Sequence, residues 1–533
     1  MKIDITKWAP DDSNFWESEG KKVAWRNLMI SIPNLLLAFS VWIMWSVIVT
    51  QLREYGFHFG LIEDGMSEAA REEAWSQIRL YYWSLPAIAG SAGATLRIPH
   101  SFLISLAGGR NAIFTTTALL ILPPLGAGLA MQDAGTPYMF FAFCALLSGI
   151  GGGAFASSMS NISHFFPKEQ QGLALGLNAG IGNLGVSIAQ ALIPLVTGVF
   201  LFSAVSPDGN VVTDEGIAGI QNGAWFWVPL LVIAGIAAFF GMNNLKSATP
   251  DLPGTFKSLG NILYLTAIGL IAAGVGAWIL VGLDWNMWIA LPITIVLTIL
   301  LMRYGSPTGI RKDINRQFAI LRYKHNWIMT ILYIMTFGSF IGYSQAFPLL
   351  TQELFVYTDP QDPNYVNPNA PRIELWAFIG PMIGALIRPV GGWLSDLLRS
   401  GARVTQWVTI TQIVCVLVLA YFAIEIRNTD TPEIFWWPYF GVFMLLFLAT
   451  GVGNASTFKT IPVIFSKEHA GAVLGWTSAI AAYGSFIIPR VFGEQIEKGN
   501  AEYALYGFAI FYGICLILNW WYYLGPRREY DKP

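Results

Sequence analysis

Apolar residues in this chain neither alternate nor recur at one helical spacing; they run in long unbroken blocks. Two examples are "LMISIPNLLLAFSVWIMWSVIVT" (28–50) and "YLTAIGLIAAGVGAWILVGL" (264–283). Each matches the roughly 20 residues a helix needs to cross a bilayer core. Reading the blocks between charged breaks predicts fourteen spans. They lie near 28–51, 80–107, 112–131, 138–165, 172–201, 224–243, 261–282, 286–302, 326–350, 373–398, 403–425, 434–465, 470–492 and 503–525. The polar stretch 1–27 holds no short apolar run ahead of a small-residue cleavage site, so the first span is expected to direct insertion itself.

Composition strengthens that picture. Of 533 residues, 54% are hydrophobic and only 12% charged, with a mean hydropathy of +0.52; soluble domains carry about 25% charged residues. Many of the 21 Trp and 20 Tyr sit near block ends, as an aromatic belt requires. The expected fold class is an all-α polytopic membrane protein, with the lipid bilayer as its surroundings. The net charge of -2 offers nothing to a nucleic acid. Cys144, Cys415 and Cys515 all lie within apolar blocks, so neither a disulfide framework nor a metal cluster is expected. No cofactor is expected either: there are no facing histidine pairs, and no nucleophile–base constellation marks an enzyme.

Lys and Arg placement sets the expected orientation. With the N-terminus inside, the inside segments hold 21 of the 31 Lys and Arg and the outside segments hold six. Both termini are therefore expected in the cytoplasm. Four charges remain within spans: Arg97, Arg388, Lys459 and Arg490.

The chain also repeats itself. "FFPKEQQGLALG" (165–176) matches "IFSKEHAGAVLG" (464–475), each preceded by a glycine cluster, "GIGGGAFASS" and "TGVGNASTF". Repeated halves are a recurrent transporter architecture, with the substrate site between them near the midplane. Within that repeat "GATLRIP" aligns with "GALIRPV", so Arg97 and Arg388 correspond. At about 1.5 Å per residue, Arg97 lies roughly 26 Å from Leu80 and Arg388 roughly 24 Å from Arg372, too deep to snorkel comfortably. Each costs on the order of 2.5–3.5 kcal/mol to insert. A buried carboxylate partner would explain them, but Glu353, Glu374, Asp396, Glu425 and Glu494 all fall at span ends. The expected partner is the substrate: a compact oxyanion matching the planar guanidinium fork.

The paired segments "GGGAFASSMSNISHFFPKEQQGLALGLNAGIGNLGVS" and "GVGNASTFKTIPVIFSKEHAGAVLGWTSAIAAYGSF" closely resemble the signature segments of the nitrate/nitrite porter family of the major facilitator superfamily. "YIMTFGSFIGYSQAFPLL" resembles that family's seventh helix and "GALIRPVGGWLSD" its eighth. The resemblance implies a major facilitator fold of two six-helix halves, with nitrate and nitrite as partners in transport. It implies that Arg97 and Arg388 clamp the anion, with Phe155, Tyr333 and Phe337 as aromatic walls and Asn183 and Ser456 as polar pocket residues. Asp396 and Arg399 in "SDLLRSGAR" are expected to latch a short cytoplasmic gating loop. Ala154 stands where the family has Asn after "GGG", whereas the second copy keeps Asn454.

A second departure is larger. The family's common form has twelve spans, but here two extra apolar blocks, 261–282 and 286–302, occupy the linker between the halves. They are expected to form a peripheral hairpin facing lipid or another subunit, outside the pathway. The expected organisation is a cytoplasmic segment 1–27, an N-terminal half 28–243, a linker 244–325 containing the hairpin 261–302, a C-terminal half 326–525 and a tail 526–533. The family further implies a bacterial inner-membrane location and a functional pairing with a nitrate reductase.

Two mechanisms compete. Two arginines repel each other when the pocket is empty, which favours obligatory nitrate-in, nitrite-out antiport by rocker-switch alternating access. Proton symport would need a carrier. Of His58, His100, His164, His325 and His469, most fall in loops or at span ends, leaving His164 within a signature segment as the candidate. An organic-phosphate exchanger is the rival outside the family.

Overall fold

A lipid interior offers no water to backbone amides, so a spanning chain satisfies them within helices. The computed structural model of the chain follows that rule. It describes residues 8–63, 65–197, 211–213, 216–249, 254–283, 285–306, 311, 315, 318–358, 365–530 and 533. The side chains of 168–169, 211–218 and 467–472 fall outside that description, and with them the Lys-Glu pairs of the sequence repeat.

The N-terminal half comprises α1 (Lys21–Ile43), α2 (Trp45–Glu54), α3 (Glu68–His100), α4 (Gly109–Leu119), α5 (Leu122–Ala130), α6 (Tyr138–Ser163), α7 (Lys168–Thr197) and α8 (Trp227–Gly241). The inserted hairpin is α9 (Thr255–Ala277) and α10 (Met287–Leu300). The C-terminal half comprises α11 (Lys324–Tyr333), α12 (Ser339–Phe355), α13 (Ile379–Leu386), α14 (Arg388–Leu397), α15 (Gly401–Arg427), α16 (Trp436–Ile464), α17 (Lys467–Ala481), α18 (Gly484–Glu497) and α19 (Ala501–Asn519). A short antiparallel pairing of Val211–Thr213 with Gly216–Ala218 precedes α8.

Among the described residues, twelve helical stretches are long and apolar enough to cross a membrane. The count of fourteen is not reached on that basis. The two expected spans that fall short, 80–107 and 470–492, coincide with α3 and with the α17–α18 pair. Arg97 lies within the first of these; the second begins among residues 467–472, whose side chains fall outside the description, and carries Arg490 bonded to Glu494 at 2.9 Å.

Those two polar elements face each other across the seam between the halves. Thr95 Oγ1 lies 2.7 Å from the Tyr483 hydroxyl, and Ser76 Oγ donates to Glu497 at 3.2 Å. Gly90 touches the Ser485 backbone so closely that a Cβ there would lie 2.4 Å from its carbonyl oxygen. On the opposite side of the bundle Gln190 Nε2 donates to Ser344 O at 2.7 Å. Nearby, Arg53 and Glu353 form an ion pair across the halves, their side chains 7% and 9% exposed, with the Arg53 guanidinium 3.9 Å over the Tyr357 ring. Removing one member of a buried pair strands the other charge at a cost of about 3–5 kcal/mol. Glu353→Gln should therefore loosen this end of the seam. Spin-label distances across it would broaden, whereas an unchanged distribution would mean the pair does not hold the halves.

Several helices are interrupted inside the bundle. α1 gives way to α2 at Met44, and Ile334–Gly338 between α11 and α12 winds as a π turn. α13 ends at Leu386 and α14 starts at Arg388. Pro389 explains that last break, because it has no N–H to return to the preceding turn and disfavours helical geometry in the residue before it. π turns inside helices occur disproportionately at functional sites.

The hairpin packs on the bundle by one face and leaves Ile271, Trp278, Trp288 and Val296 exposed on the other. Ile262, Leu265 and Ile268 of α9 pack with Ile98, Phe102 and Leu103 at the end of α3. Ile279, Leu280, Met287 and Ala290 close over Ala87 of α3 and Phe486 of α18. It thus leans on the α3 side of the seam, touching both halves.

Candidate functional site

α3 carries Arg97 to the middle of the bundle, where its side chain is fully buried. Two backbone carbonyls hold it: Nε donates to Gly152 O of α6 at 3.0 Å, and Nη1 donates across the seam to Ser478 O of α17 at 3.1 Å. Nη2 has no partner. Arg388 begins α14 at the helix break, and its Nε and Nη2 are also buried without partners. No carboxylate among the described residues pairs with either arginine.

One ring joins the two. The Phe337 centroid lies 5.0 Å from the Arg97 guanidinium carbon and 6.0 Å from that of Arg388. The π turn places Phe337 parallel to Tyr333, with centroids 5.5 Å apart and planes 14° apart. The Tyr333 hydroxyl donates to Asn454 Oδ1 at 2.6 Å, which fixes the pair in turn. Phe155 covers Arg97 from α6 at 4.7 Å. Such ring faces attract a cation, and between two guanidinium groups they leave flat walls suited to a flat ligand.

The sequence expectations divide here. Arg97, Arg388, Phe155, Tyr333 and Phe337 meet at one place. Asn183 is fully buried but its Nδ2 donates to Ala179 O of its own helix at 2.6 Å. Ser456 bonds the Thr405 hydroxyl at 2.8 Å, tying α16 to α15. No described hydrogen bond links Asn183 or Ser456 to an arginine. Two neighbours went unread in the sequence, Trp42, 5.4 Å from the Arg97 guanidinium, and Phe340, 4.8 Å from that of Arg388; Asn454, the Asn that the second copy of the repeat keeps, has its Nδ2 buried without a partner. Phe340 follows Phe337 by one turn, so helical spacing was the signal available for it.

The two residues expected at the gating loop sit in different surroundings. Asp396 pairs with Lys459 of α16, and Arg399 does not share that contact. Arg399 is exposed, sits at a left-handed φ of 50°, and meets Asp396 only through its backbone N–H, which donates to Asp396 O at 3.0 Å. His164, the candidate proton carrier, is an exposed residue just past the end of α6. His100 is instead the fully buried histidine, three residues beyond Arg97.

The arrangement can bind an anion. The atoms left unpartnered on both arginines and Asn454 are all N–H donors, buried where each unmet donor costs about 1–3 kcal/mol. An acceptor-rich ligand relieves that cost.

Comparisons with known proteins identify relatives of the whole chain. The family model described as Major Facilitator Superfamily matches residues 254–489. The chain is 35% identical over 550 residues to the nitrate/nitrite transporter NarU of Escherichia coli K12, covering 99% of this chain and 97% of that one. It is 36% identical to the probable nitrate/nitrite antiporter NarK2 of Thermus thermophilus, covering 99% and 98%. Among solved structures, tetrameric PepTSo2 superposes with a TM-score of 0.56 at 14% identity, covering 93% of this chain and 97% of that one, a likeness of fold.

Proposed function

The chain belongs to the nitrate/nitrite transporters of the major facilitator superfamily, and from that premise we propose that it exchanges nitrate for nitrite across a bacterial inner membrane. The observation that carries this reading is the pair Arg97 and Arg388, facing one phenylalanine ring with unpartnered N–H groups and, among the described residues, no carboxylate partner. Both ions are planar or bent oxyanions that accept hydrogen bonds in the plane of a guanidinium fork. An empty site leaves two positive charges facing each other at low dielectric, and a bound anion offsets that repulsion. The loaded carrier therefore crosses between its two open forms more readily than the empty one, which couples inward nitrate to outward nitrite without a proton.

In this reading the chain is a carrier with no catalytic step. The seam of α3 with α17–α18 and that of α2 and α7 with α12–α13 open in alternation as the halves rock. Both termini lie in the cytoplasm, where the inside-facing Lys and Arg concentrate. A nitrate reductase supplying nitrite at that face would give the exchange its direction.

Proteoliposomes loaded with nitrite or with an inert anion test the proposal by labelled-nitrate uptake, with and without a pH gradient. Exchange predicts uptake that needs internal nitrite and ignores the gradient. Gradient-driven uptake with inert anion inside would establish symport and retire the antiport reading.

A further inference from the structure

The turn of α3 that presents Arg97 is weak by construction. Pro99 lies in it and brings no N–H for the carbonyl of Thr95. A helix turn short of a backbone bond is positioned by what packs around it. On one side is α6, where Gly152 O takes the Arg97 Nε bond and the next residue, Gly153, faces the His100 ring. On the other side is the inserted hairpin. Thr266 of α9 is buried, and its Oγ1 lies 3.2 Å from His100 Nε2. One turn along α9, Gly269 presses flat on the same segment: a Cβ there would lie 2.5 Å from Leu96 Cδ2 and 3.2 Å from Pro99 Cγ. Residues 96–100 are clasped between α6 and the hairpin, with the anion-facing guanidinium inside the clasp.

We propose that Thr266, acting through His100, is a positioning residue for Arg97, so that the inserted hairpin sets the affinity of the anion site. This rests on the reading that Arg97 contacts the transported anion. Without the Thr266–His100 bond the turn gains freedom about the missing Pro99 link, the Gly152 bond loses its fixed geometry, and Nη2 no longer points one way. The loss is one of binding, shared by the resting and moving states, and it appears as a higher half-saturating concentration at an unchanged maximal rate.

The test uses full-length protein in nitrite-loaded proteoliposomes, with exchange measured against external nitrate concentration. Thr266→Val keeps the shape and removes the hydroxyl. It should raise the half-saturating concentration about five- to tenfold, the worth of one net hydrogen bond. Thr266→Ser should restore it. Gly269→Val, which wedges α9 away from Leu96 and Pro99, should raise it too. Melting temperatures of the purified variants separate this from loss of fold, because a merely structural Thr266 would lower the melting temperature and the amount of active carrier while leaving half-saturation alone. That result, or unchanged half-saturation in both Thr266→Val and Gly269→Val, would overturn the proposal. Arg97→Lys in the same assay isolates the premise: if it binds nitrate normally, the site reading fails and the hairpin's role falls with it. If it fails to bind while Thr266→Val is normal, only the hairpin's role falls.

Discussion

Arg97→Lys should abolish measurable nitrate exchange, lowering uptake at least about 100-fold. The magnitude follows from what the guanidinium does at once: Nε holds Gly152 O, Nη1 holds Ser478 O across the seam, and Nη2 stays free for the ligand. An ammonium is a compact point charge without that planar fork, so it cannot serve three directions set by a rigid plane. Hydrogen bonds to charged groups contribute about 1.5–3 kcal/mol each, and two lost together give roughly 100-fold or more. Arg388→Lys should cost less at the protein and as much at the ligand, because the unpartnered nitrogens of Arg388 contribute nothing until an anion arrives. Initial rates of labelled-nitrate exchange measure both, and nitrate quenching of tryptophan fluorescence, with Trp42 beside Arg97, measures binding alone. Normal rates in either variant would mean the two arginines are not the clamp.

Gly90→Val should slow transport about tenfold or more while leaving the anion site able to bind. Gly90 is where α3 and α18 touch through backbone, and a side chain there meets the Ser485 carbonyl, which has no rotamer to move away in. Overpacking of this kind costs about 1–3 kcal/mol, and here the cost falls only on the arrangement with this seam closed. The carrier then spends most of its time with α3 and α18 apart, and each cycle waits on closure. Spin labels at Ser76 and Glu497, whose side chains are bonded in the closed arrangement, would report a longer mean separation. Closed-state distances together with full transport would show that the seam tolerates a side chain and does not gate.

Much of this was legible in the sequence because both arginines are expensive. A charge in the middle of an apolar block demands an explanation, and the repeat that aligns Arg97 with Arg388 supplies it before any coordinates. Phe155, Tyr333 and Phe337 became readable through family resemblance, since a phenylalanine on a membrane helix carries no local sign of which way it faces. What stayed hidden depended on geometry between distant elements. Lys459 and Asp396 are 63 residues apart, and nothing in "SDLLRSGAR" shows that the carboxylate turns toward α16 while Arg399 turns away. His100 looked like a span-end residue because the end of α3 is polar, yet the hairpin covers it. The hairpin's own apolar composition read as lipid-facing for the same reason: Leu, Ile, Ala and Gly serve a lipid face and a helix–helix contact equally well.

The inventory of unpartnered atoms at the arginines bears on which ions the pocket refuses. Every one of those atoms is a donor. Bicarbonate is flat, singly charged and close to nitrate in size, and it is abundant in living cells, so size and charge alone would admit it. It differs by one O–H, which points a hydrogen at whatever it faces. Facing the N–H groups of the two arginines, that hydrogen displaces a bond nitrate would have made, a penalty of about 1–3 kcal/mol. The donor-only chemistry of the two guanidinium groups therefore works as a filter against hydroxylated anions, and it is a filter that needs no residue of its own.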